Sequence, residues 1–247
     1  MKAMILAAGL GTRLRPLTNG RPKALVEVSG RTLLEITIRR LALFGVRDFI
    51  INVHHFADKV IDYLQQKKNF GFRIEISRED VLLDTGGGLK KAAWFFLDGN
   101  ADDPFILHNV DVISTIDLSR MLQSHTANRA LATLAVQDRD TSRYLLFDQH
   151  DELCGRQAGR DATADMVRPA AEIKALAFSG IHIISPRLLP MISEEGVFSI
   201  ITTYLRLASQ KERIQAFRAD EYYWRDLGKP EHVLQAQIDM AKQRLQL

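Results

Sequence analysis

The sequence predicts an α/β protein of three layers (α/β/α), with helices on both faces of a mainly parallel, mixed central sheet. Two observations predict it. Met4-Ile5-Leu6, Asp48 to Val53 and Pro104 to Val112 are short runs dominated by apolar residues, as in parallel strands buried on both faces. Between them apolar residues recur at helical spacing, so successive strands are joined by right-handed βαβ crossovers.

Taken in order, Met4-Ile5-Leu6 is the first strand, and Ala24-Leu25-Val26 a second short apolar run. Arg31 to Phe44 carries Leu34, Ile38 and Leu41 on one helical face, with Gly45 as its C-terminal stop. Asp58 to Lys68 repeats that spacing with Val60, Ile61 and Leu64, and Phe72 to Ser77 alternates as a strand. Gly86 to Phe96 is read as a helix opening on glycines, and Pro104 to Val112 as a strand ending in Asp111. Ala130 to Val136 and Tyr144 to Asp148 are expected to be adjacent strands, and residues 155–171, which lack periodicity, a mobile loop. Ala175 to Ile184 is a strand, followed by helices near Pro186–Ile192 and Ser199–Ser209, a strand near Ile214–Phe217, and a helix with Pro230 at its first position. One sheet-centred domain over residues 1–247 accounts for this order.

With 46% hydrophobic and 26% charged residues, the composition is that of an ordinary globular protein. A net charge of +3, with no basic cluster interleaved with aromatics, argues against a nucleic-acid partner. Cys154 is the sole cysteine, which excludes an intrachain disulfide and favours a reducing compartment. No stretch approaches the ~20 apolar residues of a membrane span. The expected location is cytoplasmic.

The stretch from Leu6 to Lys23 carries the chemistry. The first strand breaks into Ala7-Ala8-Gly9-Leu10-Gly11, whose glycines let the backbone turn tightly and approach a ligand. Arg13, Arg15, Arg21 and Lys23 follow, and no acidic residue appears before Glu27. Backbone N–H groups beside uncompensated cations suit a polyphosphate. The dinucleotide fingerprint is excluded because Leu14 stands where its third glycine belongs, and Pro16 and Pro22 predict an irregular loop. A phosphate loop ending in Gly-Lys-Ser/Thr is absent.

Two further segments fall at strand ends, where ligands of open α/β sheets bind. Three successive glycines in Asp84-Thr85-Gly86-Gly87-Gly88 are read as a wall whose bare backbone faces a base or sugar. Asp111 closes an apolar strand, and Asp226 stands too early before Pro230 to cap the last helix. Two carboxylates suit Mg²⁺, which keeps water and phosphate oxygens among its ligands. His54-His55 are not read as a metal pair, because neighbours on an extended segment point to opposite faces.

The string Gly9-Leu10-Gly11-Thr12-Arg13-Leu14-Arg15-Pro16-Leu17-Thr18, followed by Pro22-Lys23, resembles the signature of the sugar-1-phosphate nucleotidyltransferases, a Rossmann-like, GT-A-like family. Trp224-Arg225-Asp226-Leu227-Gly228-Lys229-Pro230-Glu231 resembles its second motif, and Asn109-Val110-Asp111 its Asn-Gly-Asp, with Val110 in place of glycine. The resemblance implies transfer of a nucleoside monophosphate from a nucleoside triphosphate to a sugar 1-phosphate. It implies catalysis by Arg13, Lys23 and Asp111, with Mg²⁺ on Asp111 and Asp226. Nucleotide contacts fall to Leu6, Ala8, Gly9, Gly11, Thr12, Arg13, Thr85, Gly86 and Gly87, and acceptor contacts to Lys23, Asn109, Glu172 and Gly180. Residues up to about 115 form a nucleotide-binding half and those from about 116 to 247 a sugar-binding half, and a homodimer is an allowed assembly. The Glu-Lys-Pro string of many members is missing, and only Arg168-Pro169 and Glu172 stand in that region. Uridylyl transfer is preferred over guanylyl. The alternatives are a choline-phosphate cytidylyltransferase-like enzyme and a non-catalytic nucleotide-sugar binding protein.

Overall fold

The computed structural model describes residues 1–98 and 103–242. The first half runs β1 (Lys2–Leu6), β2 (Glu27–Val28), β3 (Arg31–Thr32), α1 (Leu33–Leu43), β4 (Asp48–Val53), α2 (Ala57–Gln66), β5 (Arg73–Arg78), α3 (Asp84–Lys91), α4 (Trp94–Leu97), β6 (Phe105–Asn109) and β7 (Val112–Ser114). The second half runs α5 (Leu118–Ala127), β8 (Ala132–Gln137), β9 (Tyr144–Phe147), β10 (Leu153–Gln157), β11 (Asp165–Met166), β12 (Lys174–Ile184), α6 (Ile200–Ser209), β13 (Ile214–Arg218), β14 (Trp224–Asp226) and α7 (Pro230–Ala241).

The sheet runs β11-β10-β9-β12-β6-β1-β4-β5, with β8 on the other side of β12 and β13 beyond it. From β6 to β5 every pairing is parallel, as the buried apolar strands require. The eleven residues of β12 then run antiparallel to β6, β8 and β9. Alternation along β1 makes the layers. Ala3 and Ile5 enter a core completed by α1, α2, α5 and α7, while Met4 enters one completed by α3, α4 and α6.

Helix starts follow their local chemistry. Thr32 caps α1 by accepting from the Glu35 N–H, Asp117 caps α5 at Ser119 and Arg120, and Ser199 caps α6 at Ile201. Lys229 is the N-cap of α7 with Pro230 behind it, as expected. No helix among the described residues is long and apolar enough to cross a membrane.

Five expectations are corrected. Residues 155–171 are not all loop, because residues 155–157 belong to β10, which pairs with β11 at Asp165–Met166. The helix read from Gly86 to Phe96 starts earlier, at Asp84, so the three glycines lie inside α3, and it breaks at Ala92-Ala93 before α4. Pro104 to Val112 is not one strand, because the chain turns at Val110-Asp111 and leaves the main sheet as β7. The strands β8 and β9 are not neighbours, since each pairs with a different edge of β12. The segment after Ser185 is a 3₁₀ turn, Pro186–Met191, because Pro190 has no N–H for an α-helical bond.

Candidate active site

The loop after β1 is held from below. Ala7 N–H donates to Asn52 Oδ1 at 2.7 Å, and Leu6 O accepts from Val110 N–H at 3.1 Å. Gly11 adopts φ +65°, and a Cβ there would lie 3.1 Å from Thr18 Cγ2 and 3.2 Å from Lys23 Cβ, so the loop folds back on itself only with glycine. Thr18 Oγ1 donates to Gly11 O at 2.8 Å, and Lys59 Nζ to Gly20 O at 2.5 Å. Buried Leu14 pins a short 3₁₀ turn, Thr12–Leu14, while Thr12, Arg13 and Arg15 stay exposed and Gly9 has open space beside it.

Lys23 points inward and forms an ion pair with Asp111 Oδ2, both side chains being mostly buried. Asp226 arrives from the far end of the chain. β14 pairs with β7 in antiparallel register, Asp226 opposite Val112, and Leu227 N–H donates to Asp111 O at 2.7 Å. Asp226 Oδ1 accepts from Gly228 N–H at 2.8 Å. A Cβ on Gly228 would lie 2.6 Å from that oxygen and 3.0 Å from Arg13 Nη2, so Arg13 and Asp226 border one glycine. Gly180, at φ +74°, allows the amide of Asn109 to approach, because a Cβ there would lie 2.8 Å from Asn109 Nδ2. Arg13, Lys23, Asn109, Asp111, Gly180 and Asp226 thus converge. Glu172 stands exposed ahead of β12 and forms no hydrogen bond or ion pair with them among the described residues.

No group of three or more His, Cys, Asp or Glu side chains suited to a metal occurs among the described residues. Asp111 and Asp226 offer oxygen donors only, and two of them. That set fits a hard cation whose remaining ligands are water and phosphate oxygens, and does not fit zinc.

The glycine run serves a different purpose from the bare wall expected of Gly86 and Gly87. A Cβ on Gly86 would lie 2.3 Å from the Phe198 ring, on Gly87 2.5 Å from Gly196 O, and on Gly88 2.9 Å from both Asn52 Nδ2 and Glu79 Oε1. The Gly86 and Gly87 N–H groups donate to Phe198 O, and Ile200 N–H donates to Thr85 Oγ1. Protein, not an open face, takes up these positions, which leaves Asp84 and Thr85 as the reachable edge of α3.

Sequence reasoning missed Asn52 and Glu79. Buried Asn52 accepts from Ala7 and donates through Nδ2 to Glu79 Oε1 at 2.7 Å, while Glu79 Oε2 accepts from Leu83 N–H at 3.0 Å. The pair links the start of the loop after β1 to the start of α3. His54 packs with Nδ1 on Glu79 O at 2.8 Å and His55 is exposed, in line with the reading of that dipeptide. A cavity of about 590 Å³ lies behind the loop, between Pro16, Leu17, Arg21 and α7, and contains none of the candidate catalytic residues.

Residues 2–243 match the nucleotidyl transferase family. The chain belongs to that family. The enzyme is 36% identical to the N-acetylmuramate alpha-1-phosphate uridylyltransferase of Caulobacter vibrioides over 97% of either chain. It is 30% identical to the mannose-1-phosphate guanyltransferase of Yarrowia lipolytica over 95% of its own length, spanning 62% of that protein. Its fold is that of UDP-glucose pyrophosphorylase from Acinetobacter baumanii, with a TM-score of 0.79 at 19% identity over 98% of this chain and 93% of that one.

Proposed function

We propose that the enzyme transfers a nucleoside monophosphate from a nucleoside triphosphate to a sugar 1-phosphate and releases pyrophosphate, with UTP preferred over GTP. The observation that carries this reading is the meeting of Arg13, Lys23, Asp111 and Asp226 around Gly228 and the β7–β14 pair. The base preference is supported by the uridylyltransferase relative, matched over its whole length, against a guanyltransferase of which the chain spans 62%.

A phosphomonoester has a second pKa of about 6, so the acceptor is anionic at neutral pH and no general base is required. The task is to hold two anions together and neutralise the departing pyrophosphate. Arg13, exposed on the loop, meets the β- and γ-phosphates. Lys23 neutralises the attacking phosphate. Leu6, Ala8, Gly9, Gly11 and Thr12 line the triphosphate, with Thr85 at the base edge. Asn109 and Gly180 border the acceptor, which the second half of the chain supplies with its pocket. Mg²⁺ held by Asp111 and Asp226 supplies charge neutralisation at the phosphate oxygens when bound.

The test is a matrix of nucleoside triphosphates against sugar 1-phosphates and choline phosphate, scored for pyrophosphate release with and without divalent cation. The expected result is release with UTP and a sugar 1-phosphate, abolished by EDTA. Release with choline phosphate alone, or with no pair at all, would sink the reading.

A further inference from the structure

Arg139, just past the end of β8, is a half-buried guanidinium with little to hold it in the protein. Its Nη2 donates to Phe178 O at 2.8 Å and its Cζ lies 3.7 Å above the Trp224 ring. Its Nε is buried without a partner, and no carboxylate among the described residues pairs with it. The other half-buried arginines of this half do hold carboxylates: Arg168 pairs with Asp148 and Glu152, Arg206 with Glu194, and Arg225 with Asp239. A guanidinium presents five donors in a fixed fork, and a buried one is rarely left without an anion. Arg139 has one hydrogen bond and an aromatic face.

Its place gives that vacancy a direction. Trp224 and Asp226 are two apart on β14 and so share a face. The charge of Asp226 reaches Arg139 and opposes the lowering that burial imposes on the guanidinium. Trp224 Nε1 donates to Ser179 O at 2.7 Å, and Ser179 precedes the Gly180 that abuts Asn109. Asp226 therefore has Arg13, from the triphosphate loop, beside Gly228 and also acts on Arg139, from the half of the chain given to the acceptor.

Resting on the function proposed above, we propose that Arg139, seated on Trp224, is a specificity-determining residue that binds a second negative charge on the acceptor, so that the substrate is a sugar 1-phosphate also bearing a carboxylate. The acceptor's own phosphate faces Lys23, which leaves the Arg139 fork for an anion elsewhere on the sugar. A planar carboxylate matches that fork, and charge-assisted bonds of this kind change affinity by about 10- to 100-fold.

The experiment compares kcat/KM for N-acetylmuramic acid 1-phosphate and N-acetylglucosamine 1-phosphate, which differ by a carboxylate-bearing ether, in the parent enzyme, Arg139→Gln and Arg139→Lys. The parent is expected to prefer the acidic sugar by roughly 100-fold or more. Arg139→Gln loses about 10- to 100-fold with the acidic sugar, through KM, and no more than about 3-fold with the neutral one. Arg139→Lys, which keeps the charge without the fork, recovers part of the preference. A parent without preference, or a loss equal for both sugars, overturns the proposal; equal loss would mean that Arg139 holds the shared phosphate or only supports β14. Pyrophosphate release with either sugar preserves the proposed function in those cases, whereas no release from the parent with any sugar 1-phosphate overturns both.

Discussion

Replacing Asn52 by alanine cuts the Asn52–Glu79 link that joins the loop after β1 to the start of α3. Its amide is oriented by its partners: Oδ1 must accept from Ala7 N–H, so Nδ2 must donate, and Glu79 is there to receive it. Both ends of the bond are buried, Asn52 at 3% exposure and Glu79 at 3%. Removal leaves the Ala7 N–H without an acceptor, at about 1–3 kcal/mol, and deprives a buried carboxylate of one donor, at a similar cost or more. A total of about 3–5 kcal/mol corresponds to a fall in Tm of about 6–20 °C for a chain of this size. Thermal and urea unfolding measure it. Glu79→Gln supplies the control, because Glu79 accepts with both oxygens and a glutamine must present an N–H₂ to Leu83 N–H or to Asn52. A double-mutant cycle should give a coupling of about 1 kcal/mol or more. KM for the triphosphate should rise in both variants, since the loop begins at Ala7. A Tm within about 2 °C of the parent, or strictly additive losses, would refute the idea that this pair anchors the loop.

Asp226→Asn, which keeps an oxygen for Gly228 N–H, should fold normally yet lose roughly 100-fold or more in kcat, and EDTA should abolish parent turnover; full activity in EDTA would remove the metal role. Gly87→Val should lower Tm, because the added carbon meets Gly196 O at 2.5 Å and overpacking of this kind costs about 1–3 kcal/mol; an unchanged Tm with weakened triphosphate binding would restore the bare-wall reading. Burial pushes His108 and His125 down to about 4 and His182 to about 3, so between the unfolded value of 6.5 and these values the unfolded chain binds more protons. Stability should therefore be full above pH 6.5 and fall as the pH drops toward 4, with His182→Asn flattening the slope; a Tm constant over that window would contradict it.

The loop was legible in sequence because its signals are local: two glycines, prolines and a run of cations without acids need no partner to be recognised. The same holds for Asp226, which is fixed by its distance from a helix-starting proline. Asn52 and Glu79 left no signal, since their bond joins two strand ends and gives neither residue a pattern of its own. The three glycines were misread for a related reason. Locally, three glycines at a helix entry argue for bare backbone kept open to a ligand, because each glycine costs a helix about 1 kcal/mol relative to alanine and so calls for a reason. Here the approach of Phe198 and Gly196 from the segment before α6 excludes any Cβ, and that segment lies over a hundred residues away in sequence. The neighbours of β8 and β9 were mistaken because β12 is long enough to take β9 on one edge and β8 on the other, with β6 further along.

The β7–β14 pair sets when the candidate site is complete. Synthesis proceeds from the N-terminus, and at its usual pace the phosphate loop and Asp111 precede Asp226 by on the order of ten seconds. In that interval the emerging chain has strands enough to begin its parallel sheet and an ammonium, Lys23, to neutralise Asp111. It has one carboxylate of two, and Arg13 has no Gly228 to rest beside. In the roles proposed above, a chain of that length has the loop that would meet a triphosphate and lacks the second of the two carboxylates. The last strand completes the candidate site, as a lock is closed by its final pin.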